Sequence, residues 1–432
     1  MALAPEPLVG EPPPPPEAAA RPRVRRGVVG VGAALLLLVI VREITHSTEL
    51  TSSDTFSSAL ALTVPILFAG LGALYAERVG VVNIGLEGMM ILGTWFGAWA
   101  GWKFGPYWGV LLGAGGGAAG GLLHAVATVT FGVDQVVSGV AINILAGGMA
   151  RFLSVVAYPP STGGSATQSP QVTSTVFHFT LPFLSGGPFF GLHRTSDVFG
   201  WVEGRHWIVI SDVTGLAKGL TANLSGLTIL ALALIPASYW WFWRTRTGLH
   251  MRSAGENPVA ADSLGVRVYS VKYMGVVISG ALAGLGGVFL VLEAAGIYRE
   301  GQTGGRGFIG LAALIFGNWR PAGVGLAAGL FGYADSLGLR SDPAIHALLL
   351  FVAIAFVLGG AWFLARRRPV GGGLMVILAV GAFIWWNAST SVPGQLVGTV
   401  PYLTTLVVLS VASQRLRPPA ADGRPYRKGQ GS

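Results

Sequence analysis

Runs of about 20 apolar residues, the length an α-helix needs to cross a bilayer, recur along nearly the whole chain. Lipid offers no hydrogen bonds, so every backbone group in such a run must be satisfied within the fold, and helices do this segment by segment. The composition agrees: 52% of the 432 residues are hydrophobic and only 11% are charged, less than half of the roughly 25% usual in soluble domains. An ordinary cytosolic enzyme is excluded. The 65 glycines suit a bundle in lipid, where small residues let helix backbones approach closely.

The expected fold class is therefore an all-α polytopic membrane protein with about ten to twelve transmembrane or re-entrant helices. Residues 1–26, with "EPPPPPEAAARPRVRR", are too rich in proline to pack and are expected to form a disordered cytoplasmic arm. A transmembrane domain follows over 27–413, and a cytoplasmic tail over 414–432 closes the chain. Within the domain, spans are expected near 27–41, 56–76, 87–103, 107–131, 135–156, 222–243, 273–295, 306–319, 322–339, 345–365, 371–388 and 396–413. Those at 87 and 306 are short and flanked by glycine, so either could be a re-entrant or broken helix. Threading the spans from a cytoplasmic N-terminus puts most of the 28 Lys and Arg inside, as the positive-inside rule requires. The net charge of +9 thus reflects membrane topology and gives no reason to expect nucleic acid. A loop over 157–206 lies outside, carrying Phe177, Phe179, Phe183, Phe189, Phe190 and Trp201 among Ser, Thr, Gly and Pro. Those aromatics suit either a docking partner or the lipid interface.

Several chemistries are absent. With no cysteine there is no disulfide, thiolate metal site or cysteine nucleophile. The histidines never fall in H-x-x-x-H spacing, so a zinc site has no support. Gly115, Gly117 and Gly120 match G-x-G-x-x-G but sit inside an apolar span with no strand before them, which favours helix packing over a dinucleotide. No Gly-Lys pair occurs, so the chain lacks the phosphate-cradling loop of an ATPase. No catalytic residue is expected.

One long polar stretch interrupts the apolar pattern: "MRSAGENPVAADSLGV", residues 251–266, within a loop over 244–272. Asn257 followed by Pro258 begins a helix, because the asparagine side chain caps orphan amides and proline at the first helical position loses no bond. Gly265 supplies a left-handed stop. Between them Val259, Ala260, Ala261 and Leu264 can pack on a partner while Asp262 and Ser263 face water. A short capped helix outside the bilayer is a lever that another protein can push, though an ordinary connecting loop could have the same pattern. Elsewhere, Asn83 and Glu87 sit at the lip of a span, where they could line a solute path or brace a broken helix. Asn143 and Asp335 lie within spans and are further path-lining candidates.

"GLHMRSAGENPVAADSLGV" resembles the coupling-helix region of permease subunits of ATP-binding-cassette importers, in the branched-chain amino acid, ribose and nucleoside permease family. "ERVGVVNIGLEGMMILG" (77–93) is similar to that family's other signature, and "GGRGFIGLAALIFGNWRPAGVGLAAGLFGYADSL" with "VPYLTTLVVL…PPAADGRPYRKG" resembles the second permease of nucleoside or simple-sugar importers. The family pattern lacks the two apolar segments joined by "ARRRP", so residues 340–392 look like an added pair of spans. The resemblance implies a plasma-membrane permease of a bacterial importer, most plausibly for nucleosides, with simple sugars such as ribose as the alternative. It implies that Gly255, Glu256, Asn257, Pro258, Val259, Ala260, Ala261, Asp262, Leu264 and Gly265 form the coupling surface. It implies as partners a second related permease in a heterodimer, a cytoplasmic ATPase that binds ATP and Mg, and an external substrate-binding lipoprotein. An ion-coupled carrier is the competing class; it would need intramembrane acids, and Glu87, Glu293 and Asp335 are the main ones available.

Overall fold

The structure, a computed structural model, describes residues 23–173, 175–189, 192–205, 207–340, 342–392 and 416–428. In chain order the helices are α1 (Arg23–Thr45), α2 (Ser53–Glu77), α3 (Leu86–Phe104), α4 (Pro106–Ala125) and α5 (Gln135–Ala157). The short helices α6 (Val198–Glu203) and α7 (Ile210–Gly219) come next, then α8 (Gly226–Arg244), α9 (Arg246–Glu256), α10 (Pro258–Ser263) and α11 (Val268–Phe289). Four more complete the described set: α12 (Arg306–Phe316), α13 (Pro321–Leu337), α14 (Asp342–Ala365) and α15 (Pro369–Ala388). Two-residue strands β1 (His178–Phe179) and β2 (Leu224–Ser225) pair antiparallel, with His178 opposite Ser225. Seven of the described helices are long and apolar enough to cross a membrane: α2, α4, α5, α8, α11, α14 and α15, with α4 and α11 each prolonged by a π-helical turn. The chain is an all-α polytopic membrane protein.

Burial separates the centre of the bundle from its edge. The most apolar 18-residue stretch of α2 is 83% buried, against 11% for that of α15, so α2 is central and α15 lies at the rim. Around α2 pack α11, α12 and α13, while α3 and α4 lie on the far side of α11. The contacts are made through glycine. A Cβ on Gly93 would overlap the Gly284 backbone, and one on Gly117 would overlap the Gly280 carbonyl. These close approaches let dispersion forces hold helices together where lipid removes the hydrophobic drive. Gly117 and Gly120 of the dinucleotide-like pattern serve this packing, Gly120 lying against Met89 and Leu92. The added pair α14 and α15 pack on one another, and Ala344, Ala347 and Leu350 of α14 join Val41, Leu50 and Leu337 in a separate small core.

Three expectations need correction. Residues 1–22 of the expected disordered arm lie outside the described residues, and Arg23 to Arg26 belong to α1, consistent with arginine being a good helix former. The loop over 157–206 carries β1 and α6, elements for which the sequence reading made no provision, and residues just beyond it form α7, tied down by an Arg42–Asp212 ion pair of 2.6 Å and a bond from Ser53 N to Glu203 Oε1. The span expected from 222 begins at Gly226, where Ser225 caps α8. The span expected at 396–413 lies outside the described residues.

If the glycine contacts hold the bundle, Gly93→Val forces α3 and α11 apart. Overpacking of this kind costs about 1–3 kcal/mol, and thermal melting of the detergent-solubilised protein should fall accordingly. Gly115→Val, where no atom lies within 4 Å of the added carbon, should leave the melting temperature within a degree or so of the parent.

Candidate functional site

Two features stand out from the packed helices: a break in the helices deep in the bundle, and a polar helical loop at one end. The break comes first because its backbone has the harder problem. Between α2 and α3 the chain is non-helical over 78–85, yet it penetrates far enough for buried Asn83 to bond Ser279 Oγ at 2.9 Å, roughly 16 Å along α11 at 1.5 Å per residue. Its exposed polar groups are met by side chains from neighbouring helices. Gln135 Oε1 accepts from Val82 N at 2.6 Å, and a ring nitrogen of His124 lies 3.0 Å from Val82 O. The Asn143 amide donates to Ile84 O at 3.1 Å and accepts from Gly88 N at 2.7 Å. Asn83 Oδ1 accepts from Gly85 N, and Lys272 Nζ donates to Gly80 O.

A second break meets the first. α12 has 11 residues, about 16 Å of helix, half the roughly 30 Å of a hydrocarbon core. Its N-terminus therefore lies inside the bundle, and Glu87 receives it: Gly305 N donates to Glu87 Oε1 at 2.9 Å and Gly307 N to Oε2 at 2.7 Å. The carboxyl also faces the positive end of the α12 dipole. Gly307 packs on the Glu87 backbone so closely that a Cβ would not fit. Asp335 stands beside Arg306 at 3.8 Å. Asn83, Glu87, Asn143 and Asp335 thus have partners within this chain, and the first three brace broken backbone.

The polar loop is more extensive than the short helix expected from sequence. Thr245 caps α9, accepting from Gly248 N at 3.0 Å, and the tight corner with α8 needs Gly248, where a Cβ would collide with the Trp241 carbonyl. Asn257 caps α10 through Ala260 N at 3.0 Å, Pro258 takes the first position, and Gly265 follows with φ +85°. Val259, Ala260 and Leu264 are exposed, Leu264 most of all at 85%. Glu256 and Asn257 are exposed too, while Pro258 and Asp262 are half-buried. Gly255 is buried against Arg78, and Ala261, expected to face a partner, is turned into this protein's own core at 3% exposure. The helical turn places it opposite Val259, and Leu264 lies just past the last turn of α10.

Sequence reasoning missed what holds the loop from below. Residues 416–428 dock against it: Ala421 N donates to Gly255 O at 2.9 Å, Ala420 N to Glu256 Oε2 at 3.2 Å, and Arg417 N to Asn318 Oδ1 at 2.8 Å. Tyr426 packs on Tyr269 with ring centroids 5.7 Å apart. Asp422 faces Glu77, the last residue of α2, which in turn accepts from Trp319 Nε1 at 2.5 Å. Burial pushes the Asp422 carboxyl up to about 6 despite nearby Lys272. The tail therefore ties α9 to the end of α2 and to the corner between α12 and α13. The motif "PPAADGRPYRKG", more polar than a simple membrane exit requires, was the signal available.

Known proteins resemble the chain over most of its length. Residues 55–358 match the family model described as branched-chain amino acid transport system, permease component. The chain is 32% identical to a guanosine ABC transporter permease of Bacillus subtilis (strain 168), over 86% of this chain and 96% of that one. It is 30% identical to a nucleoside ABC transporter permease of Lactococcus lactis subsp. cremoris (strain MG1363), with the same coverage. A putative glucose ABC transporter permease of Haloferax volcanii is 31% identical over 84% of this chain and 94% of that one. The Bacillus and Lactococcus strains each hold a second permease that also matches, at 26% and 22% identity. No solved structure matches.

Glu87→Gln places an amide N–H₂ against one of two backbone donors. Leaving such a donor unmet costs about 1–3 kcal/mol, so the melting temperature should drop, and Glu87→Asp, one methylene short of α12, should not restore it. Asp422 carries a pH dependence. Its carboxyl holds a proton more tightly when docked than when free, so docking is strongest below about pH 4, weakens as pH rises through about 6, and is constant above. Hydrogen exchange of residues 416–428 should be faster at pH 7.5 than at pH 5, and Asp422→Asn should flatten the difference.

Proposed function

Because the chain belongs to the branched-chain amino acid transport system permease family, we propose that it is the membrane-spanning subunit of an ATP-driven importer for nucleosides. The observation that carries this reading is end-to-end likeness to relatives named as guanosine and nucleoside permeases. A simple sugar is the second reading, favoured by the glucose permease at similar identity. A permease is a transport component and not an enzyme. ATP and Mg bind a separate cytoplasmic ATPase, an external lipoprotein delivers the solute, and a second permease pairs with this one, as the paired relatives of Bacillus and Lactococcus suggest.

In this reading the α9–α10 loop lies in the cytoplasm with both chain termini, and it is the coupling element. Val259, Ala260 and Leu264 seat in the ATPase, with Glu256, Asn257, Pro258 and Asp262 around them; Gly255, Ala261 and Gly265 anchor and shape the helix from the permease side. A lever must be stiff and must be attached. Caps at Thr245 and Asn257 stiffen it, the Gly248 corner joins it to α8, Gly265 joins it to α11, and residues 416–428 join it to α2. Closure of two ATPase subunits on ATP would push the lever, and the attached helices would rock about the glycine contacts to open the path inward. An ion-coupled mechanism has less behind it, because Glu87 and Asp335 are engaged within the chain and Glu293, paired with His178, is the one of the three acids with an oxygen left over.

The absence of native cysteine makes the test direct. In cells expressing the whole transporter, Leu264→Cys and Val259→Cys should crosslink to the ATPase, whereas Ala261→Cys should not. Leu264→Asp should abolish ATP-dependent uptake of radiolabelled guanosine without lowering the melting temperature. Labelling of Leu264→Cys by a membrane-impermeant maleimide added outside intact cells would overturn the orientation. Uptake of glucose but not guanosine would select the sugar reading.

A further inference from the structure

At the end of the bundle remote from α9 and α10, a cavity of about 140 Å³ opens between α2, α11 and the loop leading to α8. The π-helical turn Leu290–Ala295 that prolongs α11 puts Glu293 in its wall; such turns are frequent at functional sites. Only 5% of the Glu293 side chain is exposed. Its Oε2 pairs with His178 Nε2 at 3.0 Å, and the Val176 amide faces the same carboxyl, yet Oε1 has no hydrogen-bond partner. A buried carboxyl oxygen left bare is costly unless something else uses it. The imidazole is held in place by the β1–β2 pairing, in which His178 lies opposite Ser225. Ser57, Asn223 and Thr228 add polar groups to the wall, and Phe289 gives it an apolar side.

We propose that this cavity binds the vicinal hydroxyls of a sugar ring, with Glu293 Oε1 accepting from one hydroxyl and Ser57 and Asn223 within reach of the next. Size selects a single ring, since a cavity of about 150 Å³ holds a molecule as large as benzene. Chemistry selects a sugar: carboxylates are the groups that hold ribose hydroxyls in dinucleotide sites, and Phe289 can meet the C–H side of the ring. A divalent cation would require several oxygen ligands, whereas Glu293 is the one acid among the lining residues. The inference rests on the importer reading, under which this end faces outward and the cavity is a first station for the ribose of an arriving nucleoside.

The test measures uptake by the complete transporter in cells, comparing guanosine with its 2′,3′-dideoxy counterpart. Glu293→Gln and Asn223→Ala should each raise the half-saturating guanosine concentration, Glu293→Gln by about tenfold, the worth of one hydrogen bond to a charged group, and should leave the already weaker dideoxy uptake unchanged. Free ribose competing with guanosine, in a manner sensitive to Glu293→Gln, would assign the cavity to free pentose; ribose without effect alongside the guanosine shift would assign it to nucleoside ribose. The inference is overturned if Glu293→Gln affects both nucleosides alike or neither. His178→Ala affecting both alike while Asn223→Ala affects neither would equally overturn it, reducing the pair to a latch between loop and α11. A parent transporter that moves no nucleoside at all would sink the importer reading itself, an outcome separate from these.

Discussion

Non-helical backbone deep inside a membrane protein is tolerated only where other protein groups replace the hydrogen bonds that water cannot supply. That requirement organises this fold. Residues 78–85 leave helical geometry, and the groups that satisfy them come from α4, α5 and α11: His124, Gln135, Asn143, Lys272 and Ser279. The N-terminus of α12 is satisfied in turn by Glu87. Polar residues scattered over nearly 200 positions of sequence therefore converge on two short breaks. Each would be expensive alone, and together they tie α3, α4, α5, α11 and α12 to one another.

The glycine contacts follow from the same geometry. A helix can carry a short polar side chain such as Asn143 to a partner's backbone only if the two approach closely. Gly88 and Gly139 sit where a Cβ would strike the facing chain. Close approach and polar bracing thus depend on one another, and a side chain at Gly139 would push α5 away from the very carbonyl that Asn143 serves. At the polar end the logic differs, because water is available. There the termini of α9 and α10 are satisfied locally by Thr245 and Asn257, and long-range contacts serve attachment more than solvation.

Most spans were legible in the sequence because hydrophobic length is a local property. The start of α10 was legible for the same reason: Asn257, Pro258 and Gly265 act within a few residues. The fold class needed nothing more. The helix α9 was not legible, because "RTGLHMRSAGE" has a polar face and two glycines, and only its packing through Met251 and Ala254 decides in favour of helix. The inward turn of Ala261 depends on which side of α10 meets the body of the protein, which periodicity alone leaves free. His124 and Gln135 gave no signal, since a lone histidine and a glutamine at a helix start acquire meaning only once Val82 lies beside them. Glu293 was visible as an intramembrane acid, but its neighbour His178 comes from a loop more than a hundred residues away.

On the proposed coupling role, the attachments of the α9–α10 loop restrict how it would transmit motion. If Gly248 and Gly265 were its only joints, force would reach α8 and α11 and would bypass the end of α2. Residues 416–428 add a third joint at the end of α2, the most buried helix, through Ala421 on Gly255 and Asp422 beside Glu77. Since Arg78, the next residue after α2, begins the broken stretch braced by Asn83 and continuous with Glu87, a displacement of α9 is delivered to the chain segment where two helices are already interrupted. Interrupted helices are the ones that can pivot without breaking hydrogen bonds in their interiors. Gly255 packed on Arg78 and the tail packed on Gly255 thus join α9 to the broken segment both directly and through residues 416–428.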